Sequence, residues 1–201
     1  MYAEFGILRE RQNNLYFSEY ENDSGRFHFH SQMELYFIDD GEMEVFINNQ
    51  RRVLKKGEMS VSLGYDAHGY KTVNYSKSSV LIIPAYMCEE FYTAIDHKKI
   101  INPFICDVQT VQKMKACFHE IKSESGNAIK QLGYIYIILG ILLESVCFQP
   151  ACDKIESELS SKILLYIHDH YKQDITLATL SAKFGYSPSY ISRYFKSCFH
   201  I

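Results

Sequence analysis

From Phe5 to about Pro84 the apolar positions recur mostly at every second residue, in short runs separated by turn-forming residues. That period belongs to half-buried strands. The predicted strands are Leu15–Tyr20, Arg26–His30, Glu34–Ile38, Glu42–Ile47, Gln50–Leu54, Met59–Leu63 and Val80–Ile83. Between them Asp39-Asp40-Gly41, Asn48-Asn49 and Lys55-Lys56-Gly57 supply residues that tolerate positive φ, which predicts hairpin turns. So many short strands within about 80 residues point to a small β-barrel or jelly roll.

After Asp107 the period changes to that of a helix: Val108, Val111, Met114, Phe118 and Ile121 repeat at three and four. A second helical stretch from Ala128 to Cys147 carries Ile129, Leu132, Ile135, Tyr136, Leu139, Leu142 and Leu143, with Ser123 to Asn127 as the turn between the two. This second helix is apolar around most of its circumference. Two readings stay open: contact between two copies of the chain, through Val111, Met114, Phe118, Ile135, Leu139 and Leu142, or burial within one subunit.

Pro150, in the stretch from Gln149 to Cys152, ends that helix, and the rest of the chain reads as helical. Ile155 to Tyr171 is amphipathic, with Leu159, Ile163, Tyr166 and Ile167 on one stripe. Thr176 is a good N-cap, Ile175 is spaced to staple against Leu180, and Gly185 is placed to end the helix in the left-handed region. Ser187 then reads as an N-cap and Pro188 as the first residue of a last helix. Its inner face is Ile191, Tyr194, Phe195, Cys198 and Phe199; Ser189, Tyr190, Ser192, Arg193, Lys196 and Ser197 face outward. Two short helices joined by a Gly-containing turn, the second with polar and basic residues outward, make a helix-turn-helix. The predicted class is therefore α+β: a β-barrel over residues 1–104, a helical pair over 105–150 and a helix-turn-helix over 151–201.

Composition narrows the function classes. Over 201 residues, 47% hydrophobic and 22% charged content with four prolines excludes a disordered or low-complexity chain. The longest strongly apolar stretch, Gln131 to Leu143, is interrupted by Glu144, short of the ~20 residues of a spanning helix, and the N-terminus lacks a signal-peptide pattern. A cytoplasmic location away from membranes is the expectation. Six cysteines without a CxxC pair read as reduced core residues. The net charge of −3 hides an asymmetry, since the stretch from Ser181 onward holds Lys183, Arg193 and Lys196 and no acid.

The chemistry-bearing pattern of the strand region is H-x-H-x3-E-x6-G: His28, His30, Glu34 and Gly41, with Gly57 and His68 downstream. Residues 28, 30, 34 and 36 share parity, so on a continuous strand path His28, His30, Glu34 and Tyr36 project to one face. This arrangement resembles the first motif of the cupin family, and Gly57 with His68 its second, although the family's proline, second glycine and asparagine fall on Leu63, Tyr65 and Thr72. The resemblance implies a double-stranded barrel with these side chains, together with Tyr70, turned inward. Three imidazoles and a carboxylate make a plausible shell for a divalent transition metal. A metal-free pocket for an organic ligand and a set of hydrogen-bonded core histidines are the other readings; the ligand pocket is preferred, with no metal committed.

Residues Ile175 to Lys196, "ITLATLSAKFGYSPSYISRYFK", closely resemble the first helix-turn-helix of the AraC family of transcription regulators, at Ala182, Gly185, Ser187, Pro188, Tyr190, Ser192, Arg193, Phe195 and Lys196. His200 departs from it, where the family usually has a glycine. The resemblance implies a non-enzymatic, DNA-binding homodimer controlled by a small-molecule effector among His28, His30, Glu34, Tyr36, His68 and Tyr70. DNA would be met through Lys183, Ser187, Ser189, Tyr190, Ser192, Arg193 and Lys196. A metal-dependent isomerase or dioxygenase of the cupin type is the alternative. Such regulators carry two helix-turn-helix units and this chain carries one, so it is expected to be part of a longer protein and to bind specific DNA weakly by itself.

Overall fold

The structure is a computed structural model; it describes residues 4–6, 9, 14–96, 98–124, 126–150 and 154–199, with the side chains of 154–158, 160, 161, 165 and 197–199 excepted. It divides into two compact units, one reaching to Gln149 and one beginning at Pro150.

The first unit is built on strands β1 (Glu4–Phe5), β2 (Tyr16–Glu21), β3 (His28–Phe29), β4 (Met33–Ile47), β5 (Gln50–Lys55), β6 (Met59–Ser62) and β7 (His68–Ile83). Helix α1 (Glu89–Ala94) and the short strands β8 (Lys99–Ile100) and β9 (Phe104–Ile105) follow. The helical pair is α2 (Val108–Ser123) and α3 (Ala128–Ser145), and strand β10 (Phe148–Gln149) pairs with β8.

The two long strands make the architecture. β4 and β7 pair along nearly their whole length, and each changes its second neighbour part-way. The first half of β4 pairs with β6, its second half with β5. The second half of β7 pairs with β2, and its first residue, His68, faces His28 of β3. Two layers therefore share their central strands, and side chains from both halves close on one interior: Tyr36, Ile38, Met43, Val45, Ile47, Leu54, Tyr70, Val80 and Ile82.

The pattern Asp39-Asp40-Gly41, expected to make a hairpin turn, instead interrupts a continuous strand. The register with β7 shifts between Ile38 and Asp40 and again between Gly41 and Met43. These bulges switch which residues face inward, from Tyr36 and Ile38 to Met43, Val45 and Ile47. Turn-forming residues are also bulge-forming residues, so local chemistry did not separate the two outcomes. Asn48, with φ of 54°, does sit in the turn between β4 and β5, and Gly57, with φ of 84°, between β5 and β6.

The outer face of the first layer carries Met33, Leu35, Phe37, Met59, Val61, Leu81 and Ile83 and is covered by α2 and α3. The first half of β4 is thus buried on both faces, which is why its sequence reads as a nearly unbroken apolar run. Helix α2 is opened by the Asp107 carboxylate, which accepts from Thr110 N at 2.8 Å, and α3 by Asn127, whose amide oxygen accepts from Lys130 N. Two lysines tie α2 to the sheet: Lys122 Nζ donates to Glu19 of β2, and Lys115 Nζ donates to Asp39 at the bulge, at 2.7 Å, and to Ser79, while lying 5.0 Å from the Phe37 ring and 4.8 Å from the Phe118 ring.

This packing corrects the expected contacts between copies. Val111, Met114, Phe118, Ile135, Leu139 and Leu142 are all buried in the unit's own core, so none is on the surface for a partner. The reason is thermodynamic: the sheet's apolar face needs a cover, and the largest apolar residues of the helices supply it. α3 is long and apolar enough to cross a membrane by length and composition, yet Ile135, Ile138, Leu139 and Leu142 face this core. Its outer face is another set, with Ile129 85%, Ile137 51%, Tyr136 40% and Leu143 39% exposed, and open space beside Gly133 and Gly140.

The second unit consists of α4 (Lys154–His170), α5 (Leu177–Phe184) and α6 (Pro188–Phe199). Leu159, Ile163, Leu180, Ile191 and Tyr194 form its core, with Tyr166, Ile167, Ile175, Phe184 and Phe195 against it. The local signals operate as read: Thr176 caps α5 reciprocally with Thr179, and Gly185 ends it at φ of 76°. Ser187 Oγ accepts from Tyr190 N at 3.2 Å to open α6. His200, the family departure, and the inner-face side chains Cys198 and Phe199 lie outside the described residues.

Candidate functional site

At one end of the first unit's interior His28, His30, Glu34 and His68 converge. Their nearest ligand atoms all lie within 4.8 Å of one another. Different elements bring them there. His28 on β3 and His68 at the start of β7 are register partners, His30 lies just past β3, and Glu34 is on β4 between Ser62 of β6 and Ile82 of β7. Glycine is required nearby, because a Cβ on Gly64 would stand 2.4 Å from the Ser31 carbonyl oxygen. The next residue, Tyr65, has φ of 69°, a strained conformation for a tyrosine, and its N–H donates to the His30 carbonyl at 2.6 Å. The position where the cupin pattern has its second glycine is thus a left-handed one, and here a tyrosine adopts it.

Each imidazole is oriented by the backbone. His28 Nδ1 lies 2.7 Å from Arg26 O, His30 Nδ1 3.1 Å from Gln32 O and His68 Nδ1 2.7 Å from Asp66 O. A carbonyl oxygen only accepts, so each Nδ1 carries a proton and each ring turns its Nε2 toward the others. Glu34 Oε2 sits among them, 3.2 Å from His30 Nε2 and 3.5 Å from His68 Nε2. The latter nitrogen is buried, with no hydrogen-bond partner of good geometry among the described residues. Glu34 Oε1 is turned away and accepts from the Tyr70 hydroxyl at 2.7 Å.

A carboxylate buried among imidazoles is stable there only if positive charge accompanies it, as an N–H on a facing nitrogen or as a bound cation. Burial pushes the Glu34 carboxyl up, but the facing His68 and His30 outweigh it and hold the group well below the usual carboxylate range. Burial pushes His68 down, and Glu34 outweighs that too, so His68 is raised. His28 is lowered, by burial and then by His68. The buried carboxylate thus calls for positive charge beside it, which an extra proton or a metal ion can supply.

A divalent metal is one of the three readings that the sequence leaves open for this cluster, and the donor set fits one. Three neutral imidazole nitrogens and one carboxylate oxygen suit Zn, Ni, Co or Fe better than Ca or Mg. His28 Nε2, His30 Nε2, His68 Nε2 and Glu34 Oε2 are the atoms that would hold it.

Tyr36 and Tyr70, the other two expected pocket residues, stack beneath the cluster at 3.7 Å between ring centroids. The Tyr36 hydroxyl donates to Asp23 Oδ2 at 2.9 Å and accepts from the Ser78 hydroxyl at 2.8 Å. Neither expected tyrosine therefore offers a free hydroxyl. Sequence reasoning missed Ser60 and Ser62, which reach the same interior from β6; Ser60 Oγ has no hydrogen-bond partner among the described residues. Their alternation in Met59-Ser60-Val61-Ser62 is the signal that could have found them. It missed the carbonyls of Arg26, Gln32 and Asp66 as well, for which no side-chain signal exists.

In the second unit Ser189, Arg193 and Lys196 are exposed on one stripe of α6, with the Arg193 guanidinium donating back to Ser189 O at 3.4 Å. Ser192 is half-buried, and the Ser187 hydroxyl is spent on its cap. Lys183, on α5, is exposed and lies 5.7 Å from the Tyr166 ring. Tyr190 differs from its expected outward placement. It is half-buried, stacked between Tyr186 at 4.9 Å and Tyr194 at 6.0 Å, and packs against the unit's own core. Its ring braces the turn against α6.

No protein-family model matches this chain, and no curated protein matches it. Among solved structures it is similar to ToxT from Vibrio cholerae. ToxT with bound unsaturated fatty acid aligns at 11% identity over 94% of this chain and 76% of that one, with a TM-score of 0.62. ToxT bound to (E)-4-(8-methylnaphthalen-1-yl)but-3-enoic acid aligns at 9% identity over 92% and 76%, again with a TM-score of 0.62. A further ToxT structure gives 10% identity, 92% and 76%, and a TM-score of 0.57. At these identities the likeness is one of fold, and it extends over both units.

Proposed function

We propose that this chain is the sensor and DNA-reading part of a transcription regulator. The observation that carries this reading is the second unit: a capped α5, a left-handed Gly185 and a capped α6 that presents Ser189, Arg193 and Lys196 outward. That is the geometry by which a recognition helix enters the major groove. Arg193 is suited to a guanine edge or a phosphate, and Lys196 and Lys183 to phosphates. The AraC-like motif supports the same reading, as does the ToxT fold over both units. The role is regulatory rather than enzymatic.

The first unit is the sensor. A protein of this fold holds an unsaturated fatty acid, which supports a ligand-binding role for this chain. The Tyr36–Tyr70 stack fills the space beneath the histidine cluster. The ligand that the cluster fits without rearrangement is therefore ion-sized: a divalent transition metal on His28, His30, Glu34 and His68.

The DNA assignment is tested by the salt dependence of duplex binding. Removing one lysine–phosphate interaction reduces the slope of log K against log salt by about 0.9. Lys196→Ala is expected to weaken binding to all sequences and to reduce the slope by about one; an unchanged slope removes Lys196 from the interface.

The coupling element is the outer face of α3. Ile129, Gly133, Ile137 and Gly140 lie at spacings of four, four and three on one face, and the two glycines leave room for a second helix to approach. We assign this face to a second copy of the chain, in place of the buried residues expected from sequence. Ile137→Asp should convert a dimer to a monomer in analytical ultracentrifugation with little change in melting temperature. A dimer unaffected by that substitution contradicts the assignment.

A further inference from the structure

We infer that Tyr70 is the residue that decides how Glu34 grips a divalent transition metal: by donating to Oε1 it leaves Oε2 alone facing the three imidazoles, so the carboxylate binds through one oxygen. The inference rests on the reading of the cluster as a metal site and goes beyond it by assigning a positioning role outside the four ligands.

The observations are geometric. Both of the Glu34 contacts to imidazole nitrogens, at 3.2 and 3.5 Å, are made by Oε2, whereas Oε1 is held at 2.7 Å by the Tyr70 hydroxyl. A free carboxylate can chelate an ion with both oxygens or rotate between them, and a buried 2.7 Å hydrogen bond to a phenol resists both motions. Tyr70 is itself fixed. Its ring is stacked at 3.7 Å on that of Tyr36, which is tied in turn to Asp23 and Ser78.

The outer shell shows why this one side chain matters. The three imidazoles are oriented by the backbone carbonyls of Arg26, Gln32 and Asp66, which no substitution removes. The outer oxygen of the fourth ligand is instead held by a side chain, that of Tyr70, which a substitution can remove. Outer partners of this kind commonly set metal affinity within about 10–100-fold. A carboxylate held to one oxygen also keeps the protein's donor count at four, which leaves room at the ion for water or a further ligand.

The test uses Co²⁺, whose visible absorption reports coordination number, titrated into the intact chain. The wild type is expected to bind one Co²⁺ per chain. Tyr70→Phe, which keeps the ring stack, is expected to bind about 10–100-fold more weakly. Its d–d bands should lose intensity as the released carboxylate takes up a second contact. Tyr36→Phe removes a hydroxyl from the same stack that shares no hydrogen bond with Glu34, and should weaken binding by clearly less than Tyr70→Phe and leave the spectrum that of four protein donors. Identical affinity and spectrum for wild type and Tyr70→Phe overturn the inference, as does an equal effect of Tyr36→Phe, which would mean that the stack acts only structurally. A wild type that binds no Co²⁺ overturns the metal reading and this inference with it, and leaves the DNA reading standing.

Discussion

Phe118→Ala should lower the stability of the first unit by about 3–5 kcal/mol, the range for emptying a buried phenylalanine site. Phe118 is 0% exposed and stands at the joint between α2 and the sheet. Its ring meets Phe17 at 6.3 Å and Phe37 at 5.8 Å and forms one side of the bed on which the Lys115 ammonium lies. Removing it leaves a cavity and strips a cation–π contact from a half-buried charge, so collapse around the gap is opposed from two directions. Thermal or urea unfolding followed by far-UV circular dichroism measures the effect. The same substitution separates the two sequence-based readings of the helical pair. A residue in the contact between copies would weaken association at little cost to folding, whereas a residue of the subunit's own core weakens folding directly.

Gly41→Ala should cost about 3 kcal/mol and loosen the middle of the β4–β7 pairing, the sum of the two effects that follow. Gly41 has φ of +73°, and an added Cβ would stand 2.1 Å from the Tyr75 carbonyl oxygen. The left-handed conformation alone costs a non-glycine residue about 1–2 kcal/mol, and relieving the clash by moving backbone costs about 1–3 kcal/mol more. The shift would reach Asp39 and its tie to Lys115, because Gly41 and Asp39 lie at the same pair of bulges. Hydrogen exchange at Phe37 to Met43 should rise above that of the rest of the sheet. A stability loss within about 0.5 kcal/mol, the usual range of a surface substitution, contradicts this account of the bulge.

These two residues show where the sequence could be read and where it could not. Gly41 is the last member of the motif that begins at His28; that motif located three ligand-type side chains, and His68 downstream is the fourth that the fold brings to them. The turn chemistry around it was legible, but whether it folds the chain back or bulges a continuous strand depends on how β7, far along the chain, pairs with it, which local propensity does not encode. Helical periodicity placed α2 and α3, and capping residues placed α5 and α6, because those signals are local. The surface of α3 was misread for a related reason. Hydropathy does not separate the exposed Ile129 and Ile137 from the buried Ile135, Leu139 and Leu142; which face the core takes is set by the sheet it covers, and the exposed stripe also includes Gly133 and Gly140, which have open space beside them. Tyr190 looked outward by period and is drawn inward by aromatic partners on either side.

That the outward face of α6 reads DNA is tested most directly by chromatin immunoprecipitation of the protein in the cells it comes from, comparing the natural chain with Arg193→Ala. Arg193 is exposed and its guanidinium donates within its own helix, to Ser189 O, so the substitution leaves the fold of the second unit intact. The predicted result is occupancy at a small set of discrete sites sharing a common sequence, abolished or redistributed in Arg193→Ala at equal protein level. Occupancy spread evenly along the chromosome, or an identical set of sites in both proteins, would contradict it.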